Sequence, residues 1–167
     1  MVPIKTERLL IDEAIIQDAP FIYELLNSPT WIEFIGDRGI TDIKNAERYI
    51  QESLIDNYKK NGYGLFKVVQ NSTNIPIGLC GFLKRDYLDS IDIGYALLPE
   101  YEGKGYAYEA AKQLLAYAHT NLKDQKILAI TSPQNKRSQR LLDKLGMFKK
   151  GLVSMGDVSK EVLLYST

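Results

Sequence analysis

The chain of 167 residues is predicted to adopt an α+β fold, with a mixed, mostly antiparallel central sheet of about seven strands flanked by helices. Hydrophobic spacing gives the element order β-α-α-β-β-β-α-β-α-β-β. Three strands follow one another in the middle of this order, which argues against a doubly wound parallel sheet because such a sheet alternates strands with helices. The sequence has no repeat, no low-complexity tract and no linker longer than a turn, so residues 1–167 are expected to form a single domain.

The strands are predicted from alternating or continuous apolar runs that are bounded by turn residues. Their expected positions are residues 9–13, 63–69, 75–83, 90–98 and 126–131, with two more strands between Met147 and the C-terminus. The turn sequence Asn71-Ser72-Thr73-Asn74 separates the second of these strands from the third, which predicts a β-hairpin.

The helices are predicted from apolar residues at helical spacing. They cover residues 18–26, 43–60, 105–120 and 135–145. Asp18 is the expected N-cap of the first helix, and Thr41 or Asp42 is the expected N-cap of the second. Gly62 and Gly146 follow the second and the last helix, at the position where a glycine commonly ends a helix.

Composition and charge limit the classes of function. The chain carries 21 basic and 21 acidic side chains, and this balance gives no indication of a nucleic-acid or anionic-membrane partner. No apolar run approaches the roughly 18 residues of a membrane span. The first residues lack the apolar region of a signal peptide, so a cytoplasmic location is expected. Cys80 is the only cysteine and His119 the only histidine, so we expect no disulfide, no metal site and a buried, unreactive thiol.

The most informative stretch is a strand that leads through Gly103 and Gly105 into a helix. Glycines let the backbone approach a ligand closely, and the unpaired N–H groups of a first helical turn attract phosphate. A Walker A loop needs four residues between its glycines and then Gly-Lys-Ser/Thr, which the chain lacks. A dinucleotide loop needs a third glycine where Tyr108 stands. The remaining alternative is the pyrophosphate of coenzyme A, and the neighbouring motifs decide among the three.

Three motifs within residues 6–151 carry a family resemblance. They are Thr6-Glu7-Arg8-Leu9-Leu10-Ile11; Ile93-Gly94-Tyr95-Ala96-Leu97 with Gly103-Lys104-Gly105-Tyr106-Ala107-x-Glu109-Ala110; and Asn135-x-x-Ser138 with Leu141-Leu142-x-Lys144-Leu145-Gly146. With them the chain resembles the GNAT N-acetyltransferases, and more narrowly the RimJ/RimL branch that acetylates protein N-termini, polyamines or antibiotics. The resemblance implies the GNAT fold, with acetyl-CoA (coenzyme A) as the cofactor.

The resemblance also implies a binding region for each part of coenzyme A. The amides of residues 103–107 suit the pyrophosphate, and the main chain of the preceding strand suits the pantetheine arm. A slot is expected where the sheet splays after residue 98, with Asn135 reaching into it, and the basic residues 136–140 are expected to meet the 3′-phosphate. The implied cofactor-binding residues are Leu97, Leu98, Gly103, Lys104, Gly105, Tyr106, Ala107, Asn135, Arg137 and Ser138.

The chain departs from the family pattern at the catalytic positions. Leu142 stands where many members have a tyrosine general acid, and leucine cannot donate a proton. Ser138, which matches a serine of the branch motif, is therefore the candidate proton donor to the leaving thiolate. Asp92 and Glu33 are the candidate bases, acting directly or through water. Each has a structural alternative: a solvent-facing strand carboxylate for Asp92, a core segment around Glu33 and a helix-face position for Ser138.

The predicted function is direct transfer of an acetyl group to a primary amine in a ternary complex, because the chain offers no activated nucleophile. The acceptor is expected to be a protein N-terminus, a polyamine, an aminoglycoside or another small amine, contacted by residues 28–42 and by the final strands. A catalytically silent acyl-CoA-binding or interaction domain on the same fold and a nucleotide-binding module are the alternatives. The protein is expected to be a monomer or a homodimer, without a nucleic-acid or membrane partner.

Overall fold

The computed structural model describes residues 3–122, 126–156 and 158–167, whose strands form one eight-stranded sheet. The strands are β1 (Ile4–Lys5), β2 (Leu9–Asp12), β3 (Leu65–Gln70), β4 (Ile75–Leu83), β5 (Asp92–Leu97), β6 (Leu128–Thr131), β7 (Phe148–Met155) and β8 (Val158–Ser166). Their order in the sheet is β1-β2-β3-β4-β5-β6-β8-β7, and every neighbouring pair is antiparallel except β5 and β6. The predicted α+β fold with a mixed, mostly antiparallel sheet is therefore confirmed, and β1 is the strand that the prediction lacked.

The predicted helices are all present. The structure has α1 (Ala19–Leu26), α2 (Pro29–Phe34), α3 (Ile43–Tyr49), α4 (Asp56–Asn61), α5 (Tyr106–Asn121) and α6 (Lys136–Lys144). A π-helical segment, Ile50–Ile55, joins α3 to α4, so the helix predicted over residues 43–60 is one continuous helical run. Gly62 ends this run with φ 74°, as predicted.

The additional helix is α2. It lies between the first two predicted helices, where Pro29–Phe34 form a short helix that the prediction lacked. Proline suits the first helical position, since its missing N–H would have no helical partner there. A helix this short is not stable by itself, and its Trp31 is buried in the core, so tertiary packing rather than local sequence holds it.

The core lies between the sheet and the helices. β3 and β4 form the predicted hairpin, in which the Asn74 N–H donates to the Gln70 carbonyl at 2.8 Å. Helix α5 packs on β2, β4 and β5, and its buried face carries small residues and Leu114. Cys80 lies buried within β4, as expected, and burial raises the pKa of its thiol.

None of the helices in the described ranges combines the length and the apolar character that a membrane span would require.

β5 and β6 pair at a single register position and then separate. Asp92 lies opposite Leu128, whose N–H donates to the Ile91 carbonyl at 2.9 Å. From there on β6 follows β8, to which it is paired along its whole length. The expectation that the sheet splays only after residue 98 is thus corrected, because the gap already opens within β5.

Candidate active site

A cavity of about 520 Å³ occupies the gap between β5 and β6. Its wall includes Tyr95, Ala96 and Leu97 of β5 and residues 129–131 of β6. Further wall residues come from the start of α5, from α6, from α2 and the segment after it, from β3 and β4, and from β7 and β8. A cavity of this size matches small-molecule and cofactor sites in general.

The two glycines of the loop before α5 have left-handed backbone angles. Gly103 has φ 73° and Gly105 has φ 83°, and both line the cavity. A Cβ on Gly103 would meet nothing within 4 Å, so the backbone angle rather than crowding requires glycine there. Helix α5 begins at Tyr106, and the N–H groups of its first turn lack partners within the helix. The predicted anion-binding loop therefore has the required backbone geometry, with Ala107 also in the cavity wall.

Thr6 and Arg8 of the first sequence motif hold this loop in place through hydrogen bonds. The Glu109 carboxylate accepts hydrogen bonds from Thr6 Oγ1 (2.5 Å), the Arg8 N–H (2.9 Å) and Arg8 Nε (2.6 Å). Arg8 Nη1 also donates to the Lys104 carbonyl at 3.0 Å, and the guanidinium lies 4.5 Å from the centre of the Tyr106 ring. Although burial opposes the effect, these hydrogen bonds hold the pKa of Glu109 below its ordinary value. We call Thr6, Arg8 and Glu109 the clamp. The sequence alone did not indicate that the first motif holds the glycine loop in this way.

The loop residues differ in what they present to the cavity. The Lys104 side chain is exposed, lies outside the cavity wall and approaches the Tyr101 ring at 5.7 Å. Tyr106 is buried and lines the cavity, and its hydroxyl accepts a hydrogen bond from Gln70 Nε2 at 2.7 Å.

Within the described residues, the edge of β5 that faces β6 is paired at one register position only. Successive residues of a strand direct their N–H and C=O groups to opposite edges. Because the Ile91 carbonyl binds β6, the groups of Tyr95 and Leu97 face the same, opened edge. The Leu98 N–H points the other way and donates to the Ile77 carbonyl of β4 at 2.8 Å. Of the two predicted main-chain contacts, Leu97 thus lies at the cavity, whereas Leu98 does not line it.

The start of α6 brings three of the predicted side chains to the opposite wall. Asn135 Oδ1 accepts a hydrogen bond from the Ser138 N–H at 3.0 Å and so caps the helix. Arg137 Nη1 forms an ion pair with Glu102 Oε2 at 2.6 Å, which ties α6 to the glycine loop. Leu142 is buried in the same wall and offers no polar group.

A pair of hydroxyl groups bridges the gap between the two walls. The Tyr95 hydroxyl lies 2.8 Å from Ser138 Oγ, and either can donate the hydrogen bond. Burial raises the pKa of the Tyr95 phenol above its ordinary value, against the effect of the Ser138 hydrogen bond, so the phenol keeps its proton. Tyr95 is a candidate functional residue that sequence reasoning missed. Its place in the strand before the glycines was visible, but its contact with Ser138 joins residues that are far apart in the chain.

Asp92 and Glu33, the two predicted bases, lie in different surroundings. Asp92 is 1% exposed and lines the cavity, which rules out the solvent-facing alternative. Arg85 Nε donates to both Asp92 carboxylate oxygens, at 2.9 and 3.1 Å. Burial raises the pKa of the Asp92 carboxyl, with the Arg85 ion pair opposing the shift. Glu33 is exposed on α2 and does not line the cavity, so the structure does not bring it together with the other predicted residues.

The same family emerges from comparison with known sequences. Residues 8–148 match the family model described as "Acetyltransferase (GNAT) domain". The chain is 30% identical over 148 residues to the uncharacterized N-acetyltransferase YnaD of Bacillus subtilis (strain 168), which covers 89% of this chain and 84% of YnaD. It is 31% identical over 150 residues to the uncharacterized N-acetyltransferase p20 of Bacillus licheniformis, with 89% and 83% of the two chains covered.

Solved structures share the fold over nearly the whole chain. The acetyltransferase from Agrobacterium tumefaciens strain C58 has a TM-score of 0.83 at 25% identity, covering 100% of this chain and 94% of its own. RimL, a ribosomal L7/L12 alpha-N-protein acetyltransferase in complex with coenzyme A, has a TM-score of 0.84 at 15% identity, with 99% and 97% covered. The resemblance to the GNAT proteins, with ribosomal-protein acetyltransferases among the relatives, is confirmed. The chain therefore belongs to the GNAT acetyltransferase family and is an N-acetyltransferase.

Proposed function

We propose that the protein transfers the acetyl group of acetyl-CoA directly to a primary amine while both substrates are bound. The observation that carries the proposal is the cavity itself. It runs from the N–H groups of the glycine loop, along the open edge of β5, to the hydroxyl pair of Tyr95 and Ser138. The coenzyme A complex of RimL supports this choice of cosubstrate, because RimL shares the fold over 99% of this chain.

The residues of the cavity fit the parts of the cosubstrate. The N–H groups around Gly103, Gly105 and Ala107 suit the pyrophosphate, because they lie in the cavity wall at a helix start, where N–H groups have no partner within the helix. The main-chain groups of Leu97 suit the amides of a pantetheine arm, which pairs with a strand edge as a peptide does. Arg140 lies in the same wall and suits a further phosphate.

The hydroxyl pair is the proton source that the site offers. When bound, acetyl-CoA supplies a thioester; the acceptor nitrogen forms a bond to its carbonyl carbon as the carbon–sulfur bond breaks and the sulfur leaves as a thiolate. Ser138 Oγ can donate to the leaving sulfur, and the hydrogen bond from Tyr95 orients that hydroxyl. Many members of the family have a tyrosine general acid at the position of Leu142, and in this protein the hydroxyl pair takes over that role. A thiol with a pKa of about 8.5 needs little help to leave, so the contribution of the pair is modest.

Asp92 lies in the part of the cavity that we assign to the acceptor amine. It does not itself remove the proton of that amine. Tyr95 lies three positions after Asp92 in the strand, which corresponds to about 10 Å. A general base must lie within hydrogen-bond reach of its proton, or be connected by one water. An α-amino group has a pKa of about 7.7–8.0 and is partly neutral near physiological pH, so water suffices as the final proton acceptor.

Direct transfer is supported because the described part of the cavity wall holds neither a thiol nor an imidazole. Cys80 is not part of that wall, and the raised pKa of its buried thiol makes it a poor nucleophile. The acetyl group therefore passes to the acceptor without a covalent acetyl-enzyme.

The proposal is tested by measuring thiol release from acetyl-CoA in the presence of a panel of amines. We expect release that depends on both the amine and the enzyme, and a fall in rate for Ser138→Ala with unchanged affinity for coenzyme A. Tight binding of coenzyme A without release for any amine would instead identify a silent acyl-CoA-binding domain on this fold. Stronger stabilisation by NAD or ATP than by coenzyme A would identify a nucleotide-binding module.

A further inference from the structure

The charges of the described cavity wall are unbalanced. Its two carboxylates are both engaged: Asp92 binds Arg85 at 2.9 Å, and Glu102 binds Arg137 at 2.6 Å. Among the described residues, four cationic side chains of the wall have no carboxylate partner. They are Arg38, Arg140, Lys144 and Lys160.

Two of these cations lie beside the proposed cofactor region. Arg140 and Lys144 belong to α6, and Lys144 Nζ lies 4.4 Å from the centre of the Tyr108 ring in the first turn of α5. The phosphates of the proposed cosubstrate account for both. Arg38 and Lys160 are exposed and belong to other parts of the wall, so the phosphates do not account for them.

Arg38 and Lys160 come from the two segments that were expected to contact the acceptor. Arg38 follows α2 and lies close enough to oppose the pKa rise that burial causes in the Tyr49 phenol. Lys160 lies in β8, close in sequence to Gly156, which approaches Tyr87 in the segment before β5. A Cβ built on Gly156 would lie 3.8 Å from the ring of Tyr87, so the two residues are neighbours. The Tyr87 hydroxyl in turn accepts a hydrogen bond from Arg85 Nη1 at 3.3 Å.

The start of β5 lies far from the glycine loop. Strand β5 spans about 17 Å from Asp92 to Leu97, which leads toward the loop. The region near Arg85 is therefore distinct from the phosphate-binding end. The exposed carboxylates on these segments do not line the cavity; they are Glu33, Asp37, Asp86, Asp89 and Glu161.

A buried donor in the same wall lacks an acceptor. Trp31 is 4% exposed and lines the cavity, and its Nε1 is the buried side-chain polar atom without a hydrogen-bond partner in the described part of the chain. An indole N–H can only donate, and buried donors in native proteins are nearly always paired. The buried indole N–H therefore lacks an acceptor, whereas the guanidinium of Arg38 and the ammonium of Lys160 are exposed cationic donors that an anionic group entering the cavity can contact.

We infer that the acceptor of this enzyme is an amine that also carries an anionic group, a carboxylate or a phosphate, bound by Arg38, Lys160 and the Trp31 N–H. The inference rests on the proposed acetyl transfer and narrows its substrate class. It excludes polycationic acceptors such as polyamines and aminoglycosides. Such molecules would meet uncompensated positive charge in this part of the wall, where the carboxylate of Asp92 is already paired with Arg85.

The test compares amines that differ only in the anionic group. Glycylglycine and its C-terminal amide form the carboxylate pair, phosphoethanolamine and ethanolamine form the phosphate pair, and spermidine represents the polycations. We expect kcat/KM to be at least about tenfold higher for the anionic member of one pair, the ratio that one charge-assisted hydrogen bond supports. The pair with the larger ratio identifies carboxylate or phosphate as the recognised group.

Substitutions in the wall test which residues carry the preference. Arg38→Gln, Lys160→Gln and Trp31→Phe should each reduce the ratio while the affinity for coenzyme A is unchanged. Arg48→Gln on α3 and Lys149→Gln on β7 remove exposed charges outside the cavity wall and should leave the ratio as in the wild type. Without acetyl-CoA, the anionic member alone should raise the unfolding temperature, and this shift should also depend on Arg38 and Lys160.

The failure of this inference is distinguishable from that of acetyl transfer. Turnover with equal or higher kcat/KM for the neutral members or for spermidine would overturn the anionic acceptor and leave acetyl transfer intact. A preference that survives the substitutions at Arg38 and Lys160 would overturn the assignment of the site. No amine-dependent thiol release for any member of the panel would overturn the proposed function and this inference with it.

Discussion

Replacing Gly103 by alanine tests the ligand-binding role of the glycine loop. Gly62 provides a matched control, because the same substitution there should have the same effect on stability without touching the loop. Gly103 has φ 73° and Gly62 has φ 74°, and a Cβ would meet nothing within 4 Å at either position. Gly103 lines the cavity, whereas Gly62 ends α4 outside its wall.

The two substitutions should cost the same stability. An alanine in the left-handed region lowers the free energy of unfolding by about 1–2 kcal/mol. The lower conformational entropy of the unfolded chain offsets this by about 0.4–1 kcal/mol. The net destabilisation is on the order of 1 kcal/mol, which lowers the unfolding temperature by roughly 2–4 °C for a chain of this size. Neither variant should unfold at room temperature.

The two variants should differ in their response to coenzyme A. At a concentration of 100 times its dissociation constant, a ligand stabilises the wild type by about 2.7 kcal/mol. Alanine disfavours the left-handed backbone angle at residue 103, which should shift the amides that bind the pyrophosphate and weaken binding at least about tenfold. This leaves roughly 1.4 kcal/mol at the same concentration. The assay is thermal unfolding with and without coenzyme A. An equal coenzyme A shift in Gly103→Ala, Gly62→Ala and the wild type would refute the reasoning.

Three further predictions concern the hydroxyl pair, the clamp and the buried ion pair. Tyr95→Phe and Ser138→Ala should each lower kcat by up to about tenfold without changing coenzyme A affinity. Because the two hydroxyls act together, the fold-decrease in kcat of the double variant should be smaller than the product of the two single decreases. A decrease equal to that product would contradict this. Glu109→Gln should cost about 1–3 kcal/mol in urea unfolding, because a carboxylate that accepts three hydrogen bonds is lost. Since the pKa of Glu109 is lowered in the folded protein, this stability is fully present above the ordinary pKa of about 4.3 and is lost as the pH falls through the folded value. The difference between the variant and the wild type should therefore shrink at acid pH, and a constant difference would contradict the assignment. Asp92→Asn should cost about 3 kcal/mol, because Arg85 loses its partner in a mostly buried pair; a neutral effect on the urea midpoint would show that water compensates Arg85.

The parts of the site that sequence predicted are those encoded by neighbouring residues. A strand, two glycines and a helix start lie within residues 92–107, so the loop is a local feature and its position follows from the pattern. The start of the last helix is local in the same way: it was predicted at Asn135, and α6 begins at Lys136.

The parts that sequence could not give depend on contacts between distant segments. The Tyr95–Ser138 contact spans 43 residues, and the Thr6–Glu109 contact spans 103. The direction of the Leu98 N–H depends on its pairing with β4, since a strand pattern does not reveal which edge each amide faces. Glu33 shows the same limit, because the formation of α2 by tertiary packing decides where this side chain points.

The fold was predictable to a similar extent. The uninterrupted series of three central strands is visible in the sequence and is sufficient to predict a mixed sheet. The early separation of β5 from β6 was not visible, because it depends on β6 pairing fully with β8, a strand more than 25 residues later in the chain.

The most direct test of the central claim uses acetyl-CoA labelled in the acetyl group, incubated with the enzyme in the presence and in the absence of an amine acceptor. Direct transfer predicts that the label appears on the amine at a rate proportional to enzyme, and that without an amine the protein remains unlabelled after denaturation. Label bound covalently to the protein in the absence of an acceptor, or no label on any amine despite coenzyme A binding, would contradict it.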